Sequence, residues 1–299
     1  MITSSAKLVN QMVTIGEITA CTDALKANEL GYMPRSLVAA CLPHSRPVGN
    51  EYTHINGKFR ISIIAPTDTG IPFGSRPRLI IAFLAGEAIR TKSRHIALGN
   101  SLSEFMRGLG IDATGGSTGS ISRLKNQLVR LSSCTISTSW TDFRHTTLTN
   151  APIVSTSQLW WTPHELKRNG NTSFLTLGHE FFEDVITRPV PVDFRALRIL
   201  KRSSLALDIY CWLTYRMYYL ARKGRTKIPW LALRNQFGGE YKSTPTGLKN
   251  FRQRFIQQLG YVLLVYQSAR VEVVSDGIIL IPSPTHVSNK TNTRIIHTY

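Results

Sequence analysis

Apolar residues recur with one spacing in two separate stretches of this chain. Leu102, Phe105 and Leu109 are followed by Gly110, and Trp230, Leu233 and Phe237 are followed by Gly238. In each stretch the apolar side chains stand at positions one, four and eight, which share one face of a helix turning about 100° per residue. Shortly after each glycine a basic amphipathic stretch begins. The first carries Ile121, Leu124, Leu128 and Leu131; the second carries Leu248, Phe251, Phe255 and Leu259. The pattern predicts, twice over, a short helix, a turn, a second helix and a β-hairpin. The fold class expected is therefore α+β, with two tandem winged-helix domains (helix-turn-helix plus β-wing) and an N-terminal extension.

The remaining periodicity places the other elements. Phe59 to Ala65 reads as a strand, Pro66 to Gly74 as a loop, and Arg78 to Lys92 as a strong helix. The first wing is expected from strand Cys134 to Trp140 and a return strand Pro152 to Trp161, with Arg144 and His145 at its tip. Ser173 to Leu177 is a strand, Glu180 to Ile186 a short helix, and Pro189 and Pro191 break the chain before a helix over Phe194 to Leu200. Leu205 to Arg222 is a long central helix. The second wing is expected from Tyr261 to Val274 and Ile278 to Ile281, turned at Ser275-Asp276-Gly277. Met1 to Met33 is compatible with a helix, and the region of Pro43, Pro47 and Gly49 reads as a linker. The expected division is residues 1–45 as N-terminal extension, 46–168 as the first winged-helix domain, 169–287 as the second, and 288–299 as a loose tail. Gly170 and Asn171 mark the boundary.

Charge gives the pattern a direction. The 299 residues hold 36 Lys and Arg against 18 Asp and Glu, a formal net charge of +18. Such an excess favours a polyanionic partner. Residues 1–165 carry 16 basic and 10 acidic side chains, and residues 166–299 carry 20 and 8, so the later half should supply more of the salt-sensitive attraction. The four cysteines, Cys21, Cys41, Cys134 and Cys211, have neither CxxC nor zinc-finger spacing. They fit free thiols in a reducing cytoplasm. No signal peptide is expected, and the most apolar long stretch, Leu205 to Ala221, contains Asp208 and Arg216, so no membrane span is expected.

The outward faces of the two amphipathic helices are the candidate readers of double-stranded DNA. On the first these are Ser122, Arg123, Asn126 and Arg130; on the second, Lys249, Asn250, Gln253, Arg254 and Gln257. Arg suits guanine, and Asn or Gln suits adenine, in paired major-groove hydrogen bonds. The simpler alternative for either helix is a solvated polar face. Thr114, Gly115, Gly116 and Ser117 precede the first helix, whose free N–H groups could hold a phosphate. Arg222, Lys223, Arg225 and Lys227 form a basic loop that contacts phosphates or is merely solvated. Arg252 flanks the buried stripe and reads as structural, and Trp160-Trp161 reads as core or as a stacking platform. No GxxxxGK[ST], HExxH, CxxC or GxSxG occurs. The acids Glu180, Glu183 and Asp184 are explained by a helix dipole. No catalysis, cofactor or metal is expected.

Several collinear segments resemble a known family. They are Ile71 to Leu79 (IPFGSRPRL), Glu87 to Lys92 (EAIRTK), Leu98 to Arg107 (LGNSLSEFMR), Thr114 to Leu124 (TGGSTGSISRL), Arg188 to Leu197 (RPVPVDFRAL) and Leu205 to Met217 (LALDIYCWLTYRM). Ile228-Pro229-Trp230 and the late VEV and PSP segments join them. Over residues 59–287 the chain is similar to the plasmid-encoded RepA-type replication initiators. The resemblance implies winged-helix folds and binding to repeats at a plasmid origin. It also implies recruitment of a host replication initiator and replicative helicase; distortion of the bound DNA is expected to favour origin opening, and the cysteine usage fits the bacterial cytoplasm. A homodimer is left open. The competing readings are a winged-helix repressor acting on its own promoter, and a DNA-processing enzyme.

Overall fold

The computed structural model describes residues 24, 29–141, 146–159 and 173–287. Its helices and strands are mixed, and the chain divides into two compact units. One is Tyr32–Pro189; the other joins Met1–Gly31 to Val190–Tyr299.

The chain enters the first unit within β1 (Leu30–Pro34) and runs through α1 (Arg35–Ala39), β2 (Glu51–Asn56), β3 (Phe59–Ile64), α2 (Ser75–Thr91), β4 (His95–Ala97), α3 (Leu102–Gly108), α4 (Ser120–Ser133), β5 (Thr135–Thr141), β6 (Thr146–Pro152), β7 (Val154–Gln158), β8 (Phe174–Leu177) and α5 (His179–Thr187), and it leaves within β9 (Pro189–Asp193). β2, β3, β5 and β6 form one antiparallel sheet in that order; β4, β8 and β7 form another. α2 is the central helix, with Leu79, Ile80, Ile81, Leu84 and Ala85 at 0–1% exposure.

Three sequence-based expectations are corrected in this unit. Its boundary is not at 168/169: β8 is the middle strand between β4 and β7, so residues 174–177 complete the first unit rather than open the second. Nor are residues 1–45 one extension with a linker at Pro43. Leu30–Pro34 is a strand, and Cys41 and Leu42 are buried. The buried Arg78 guanidinium donates to the carbonyls of Leu42 (2.6 Å), Gly74 (2.6 Å) and Pro43 (3.2 Å), which ties this stretch into the core. The return strand of the first hairpin is β6, not 152–161. Pro152 has no N–H for a continuing ladder and ends β6, and β7 then pairs with β8. Arg144 and His145, Trp160-Trp161, the Gly170-Asn171 boundary and the 288–299 tail lie outside the described residues.

The second unit contains α6 (Phe194–Leu200), α7 (Ser204–Lys223), β10 (Thr226–Pro229), α8 (Trp230–Phe237), α9 (Pro245–Val265), β11 (Arg270–Val274) and β12 (Gly277–Ile281). Side chains cap its helices: Asp193 accepts from the Arg195 amide, Ser203 from Ala206, and Thr244 from Gly247 with Pro245 at the first helical position. β10, β12 and β11 make a three-stranded sheet, and the register Val274↔Gly277 leaves Ser275-Asp276 as a two-residue turn. Tyr261–Val265, expected in a strand, is the last part of α9. The buried stripe Phe255, Leu259, Val262, Val265 keeps helical spacing, which outweighs the β-branched composition of the stretch.

A polar knot holds the end of this unit. The Tyr210 hydroxyl accepts from the Asp193 amide at 3.0 Å and lies 2.7 Å from His286 Nδ1, while the Tyr266 hydroxyl donates to the Pro284 carbonyl at 2.8 Å. Burial depresses the basicity of His286; Asp193 opposes this and Arg195 adds to it. The unfolded chain therefore binds a proton at His286 more readily than the folded one, and stability falls as pH drops below about 6.5. Denaturant titrations between pH 7.5 and 5 should show this loss, and His286→Gln should reduce its slope. An equal slope in the variant would exclude His286 as its source.

Candidate nucleic-acid interface

The two glycines that announced the helix pairs serve different needs. Gly110 follows α3 with φ +67°, a left-handed conformation that a Cβ disfavours. Gly238 follows α8 with negative φ, but a Cβ there would stand 2.7 Å from the Phe251 ring. Close approach of α8 to α9 is what requires it.

Between α3 and α4 the loop is internally bonded. The Ser120 amide donates to Thr114 Oγ1 (2.9 Å), the Thr114 amide to Ser120 Oγ (2.8 Å), and the Ser120 hydroxyl to the Asp112 carbonyl (2.5 Å). The Ile121 amide donates to the Thr114 carbonyl at 3.3 Å. Gly119 is obligatory, because a Cβ would stand 2.2 Å from the Gly115 carbonyl oxygen. The amides of Ser120 and Ile121, expected to hold a phosphate, are thus already engaged.

The expected reading face of α4 narrows. Arg123 and Asn126 are exposed, and Ser117 is exposed on the loop before the helix. Ser122 is half-buried and donates to the Gly116 carbonyl at 2.8 Å. Arg130 does not point outward: it is 8% exposed, donates to the Ile71 carbonyl at 3.1 Å and to Asn126 Oδ1 at 2.7 Å, and lies over the Phe73 ring. The loop Gly70–Gly74 covers that flank of the helix. Gln127, unremarkable in the sequence, is buried there and accepts from the Phe73 amide at 3.0 Å. Arg130→Ala should cost about 1–3 kcal/mol, the penalty of leaving buried polar groups unsatisfied. Arg123→Ala should leave the melting temperature unchanged. Thermal melting of both variants checks this; equal melting temperatures would remove the structural role of Arg130.

α9 presents the face expected of it. Lys249, Asn250, Gln253, Arg254 and Gln257 are all exposed, with Arg254 donating to Gln257 Oε1 at 2.7 Å. Two arginines set the helix in place. Arg234 donates to the Tyr241 carbonyl (2.9 Å) and Ser243 hydroxyl (2.6 Å), fixing the connection from α8. Arg252 lies over the Trp230 ring at 5.2 Å and donates to the Ser275 carbonyl at 3.1 Å, which ties α9 to the hairpin turn. The basic loop divides: Arg222 and Lys223 are exposed at the end of α7, whereas Arg225 pairs with Glu272, and Lys227 with Asp276 at 2.7 Å. Lys227 holds the Asp276 carboxyl below its usual range. Among the described residues no group of three or more His, Cys, Asp or Glu could hold a metal ion, and no helix is long and apolar enough to cross a membrane.

Comparison with known proteins supplies the context. The solved structures of domains 2 and 3 of RctB have a similar fold: one matches with TM-score 0.50 and 13% identity over 82% of this chain and 96% of that one. The other, a selenomethionine derivative, matches with TM-score 0.55 and 12% identity over 85% and 99%. No curated protein matches. Residues 71–231 match the family described as plasmid encoded RepA protein, a span that includes α2, α3 and α4 and ends in α8. More than half of the sequence lies in that match, and the chain belongs to the plasmid encoded RepA protein family, the RepA-type replication initiators that its segments resemble.

Proposed function

We propose that this protein initiates plasmid replication by binding duplex DNA at repeats in the plasmid origin, through two winged-helix domains. In the second unit the order α7, β10, α8, α9, β11, β12 is that of a winged helix, with α9 as recognition helix and the β11–β12 hairpin as wing. In the first unit α2, β4, α3 and α4 follow the same order, with β4 paired to β8 and β8 to β7, while the β5–β6 hairpin, expected as the wing, joins β2 and β3. The observation that carries the reading is the face of α9. Lys249, Asn250, Gln253, Arg254 and Gln257 stand exposed on a helix whose other side is locked by Phe251 and Phe255. A rigid helix with paired amide and guanidinium donors is what major-groove reading needs.

The action is non-catalytic. Arg222 and Lys223 join the helices in neutralising phosphates, and released counterions make binding salt-sensitive. Distortion of the bound duplex then favours opening of an adjacent A·T-rich stretch, where the host initiator and replicative helicase are recruited. The site of action is plasmid DNA in the bacterial cytoplasm. Footprinting of the purified protein on DNA flanking its gene is the test. Protected tandem repeats, whose deletion abolishes plasmid maintenance, are expected. Protection confined to the promoter, with maintenance unaffected, would make the protein a repressor instead. Site-specific nicking in Mg²⁺ would make it a processing enzyme.

A further inference from the structure

The covered flank of α4 gathers positive charge. Gln127 and Arg130 hold the loop Gly70–Gly74 against the helix through the Phe73 amide and the Ile71 carbonyl. The Gly74 amide donates to the Pro43 carbonyl at 3.0 Å, which brings the 43–46 stretch to the same place. The chain enters α2 directly after this loop, and Arg76, the second residue of that helix, comes within electrostatic reach of Arg123, one turn before Gln127 on α4. Arg46 comes within electrostatic reach of Arg130. Among the described residues, none of Arg46, Arg76, Arg123 and Arg130 makes an ion pair with a carboxylate. Arg76 is half-buried, and its Nε is buried without a hydrogen-bond partner among those residues.

Like charges held together without a counterion repel, and partial burial strengthens the repulsion. Burial first, and Arg123 second, make the charged form of Arg76 less favourable than usual. A phosphate oxyanion with two free oxygens would offset both effects, since guanidinium groups bind phosphate through paired charge-assisted hydrogen bonds. Arg123 is exposed on the outward face of α4, one turn from Asn126, so an anion at this place lies beside that face. We propose that Arg76 and Arg123 clamp one backbone phosphate of duplex DNA lying along α4. The clamp rests on the DNA-binding reading above and adds to it a register contact that fixes α4 on the duplex while reading no base.

The test uses Arg76→Gln, Arg123→Gln and the double variant in the full chain. A labelled random-sequence duplex is titrated at several KCl concentrations, with thermal melting alongside. Each single variant should lower the steepness of the log–log salt dependence by about 0.9 and weaken binding about 8-fold at 0.1 M salt. Arg76→Gln should leave the melting temperature of the free protein unchanged or raise it, because it relieves repulsion. A lowered melting temperature would mark Arg76 as structural and overturn the clamp. If the wild type binds the duplex and folded Arg76→Gln binds with the same affinity and slope, the clamp falls and the DNA-binding reading stands. If the wild type binds no duplex even at low salt, the DNA-binding reading itself falls and takes the clamp with it.

Discussion

Phe255→Ala should destabilise the second unit by about 3–5 kcal/mol, the cost of emptying a large buried aromatic site. Phe255 has no exposed surface, and its ring centroid lies 5.6 Å from those of Phe237 and Phe251 and 6.0 Å from that of Trp230. These partners come from α8 and α9, so the cavity would open at the junction that sets the angle between the helices. Melting followed by tryptophan fluorescence and denaturant titration should show the transition of this unit lowered by about 10 °C or more. DNA affinity should fall with it. A decrease of less than a few degrees would mean that the aromatic cluster collapses around the gap and does not set the helix pair.

Gln253→Ala should instead leave the melting temperature unchanged and weaken cognate binding about 5- to 150-fold, from the 1–3 kcal/mol typical of a paired base contact. Gln253 is exposed and lies three residues after Asn250, so their amides share one face of α9. The loss should be confined to one base pair when a panel of single-pair variants is tested. Lys223→Ala, at the end of α7, is the contrasting case: it should weaken all duplexes alike and make the salt dependence shallower. If Gln253→Ala keeps both affinity and base preference, the α9 face is not the reader.

What was legible in the sequence depended on how far away the covering residues lay. α6 falls on Phe194–Leu200 as expected, and α7 differs by a residue at each end from the helix expected over Leu205 to Arg222, because their stripes and caps are local. The exposed face of α9 was equally readable, since neighbours in sequence decide it. Arg130 was not. By helical periodicity it lies outside the leucine stripe, but the loop that buries it carries the Ile71 carbonyl, 59 residues away. Arg76 escaped for a related reason: it precedes the stretch where the helix was expected to begin, and its neighbour Arg123 lies on a different helix. β6 was misplaced because a Thr-rich stretch next to Pro152 carries little apolar alternation. The domain boundary was misplaced because a middle strand of a sheet can be supplied from anywhere in the chain.

The second unit also has an order of manufacture. Glu29 accepts the Phe194 amide hydrogen bond at 2.8 Å and pairs with Arg198 at 2.6 Å, and a Cβ on Gly31 would stand 2.8 Å from the Phe194 ring. These early residues belong to a unit whose remainder begins at Val190, so the first unit is an insertion within the second. A ribosome delivers Tyr32–Pro189 as a complete piece, and that piece can fold while synthesis continues. The Glu29–Gly31 stretch is made before that piece and meets its partners Phe194 and Arg198 only after it. A nascent chain paused directly after Pro189 would therefore carry one complete unit and only the opening residues of the other.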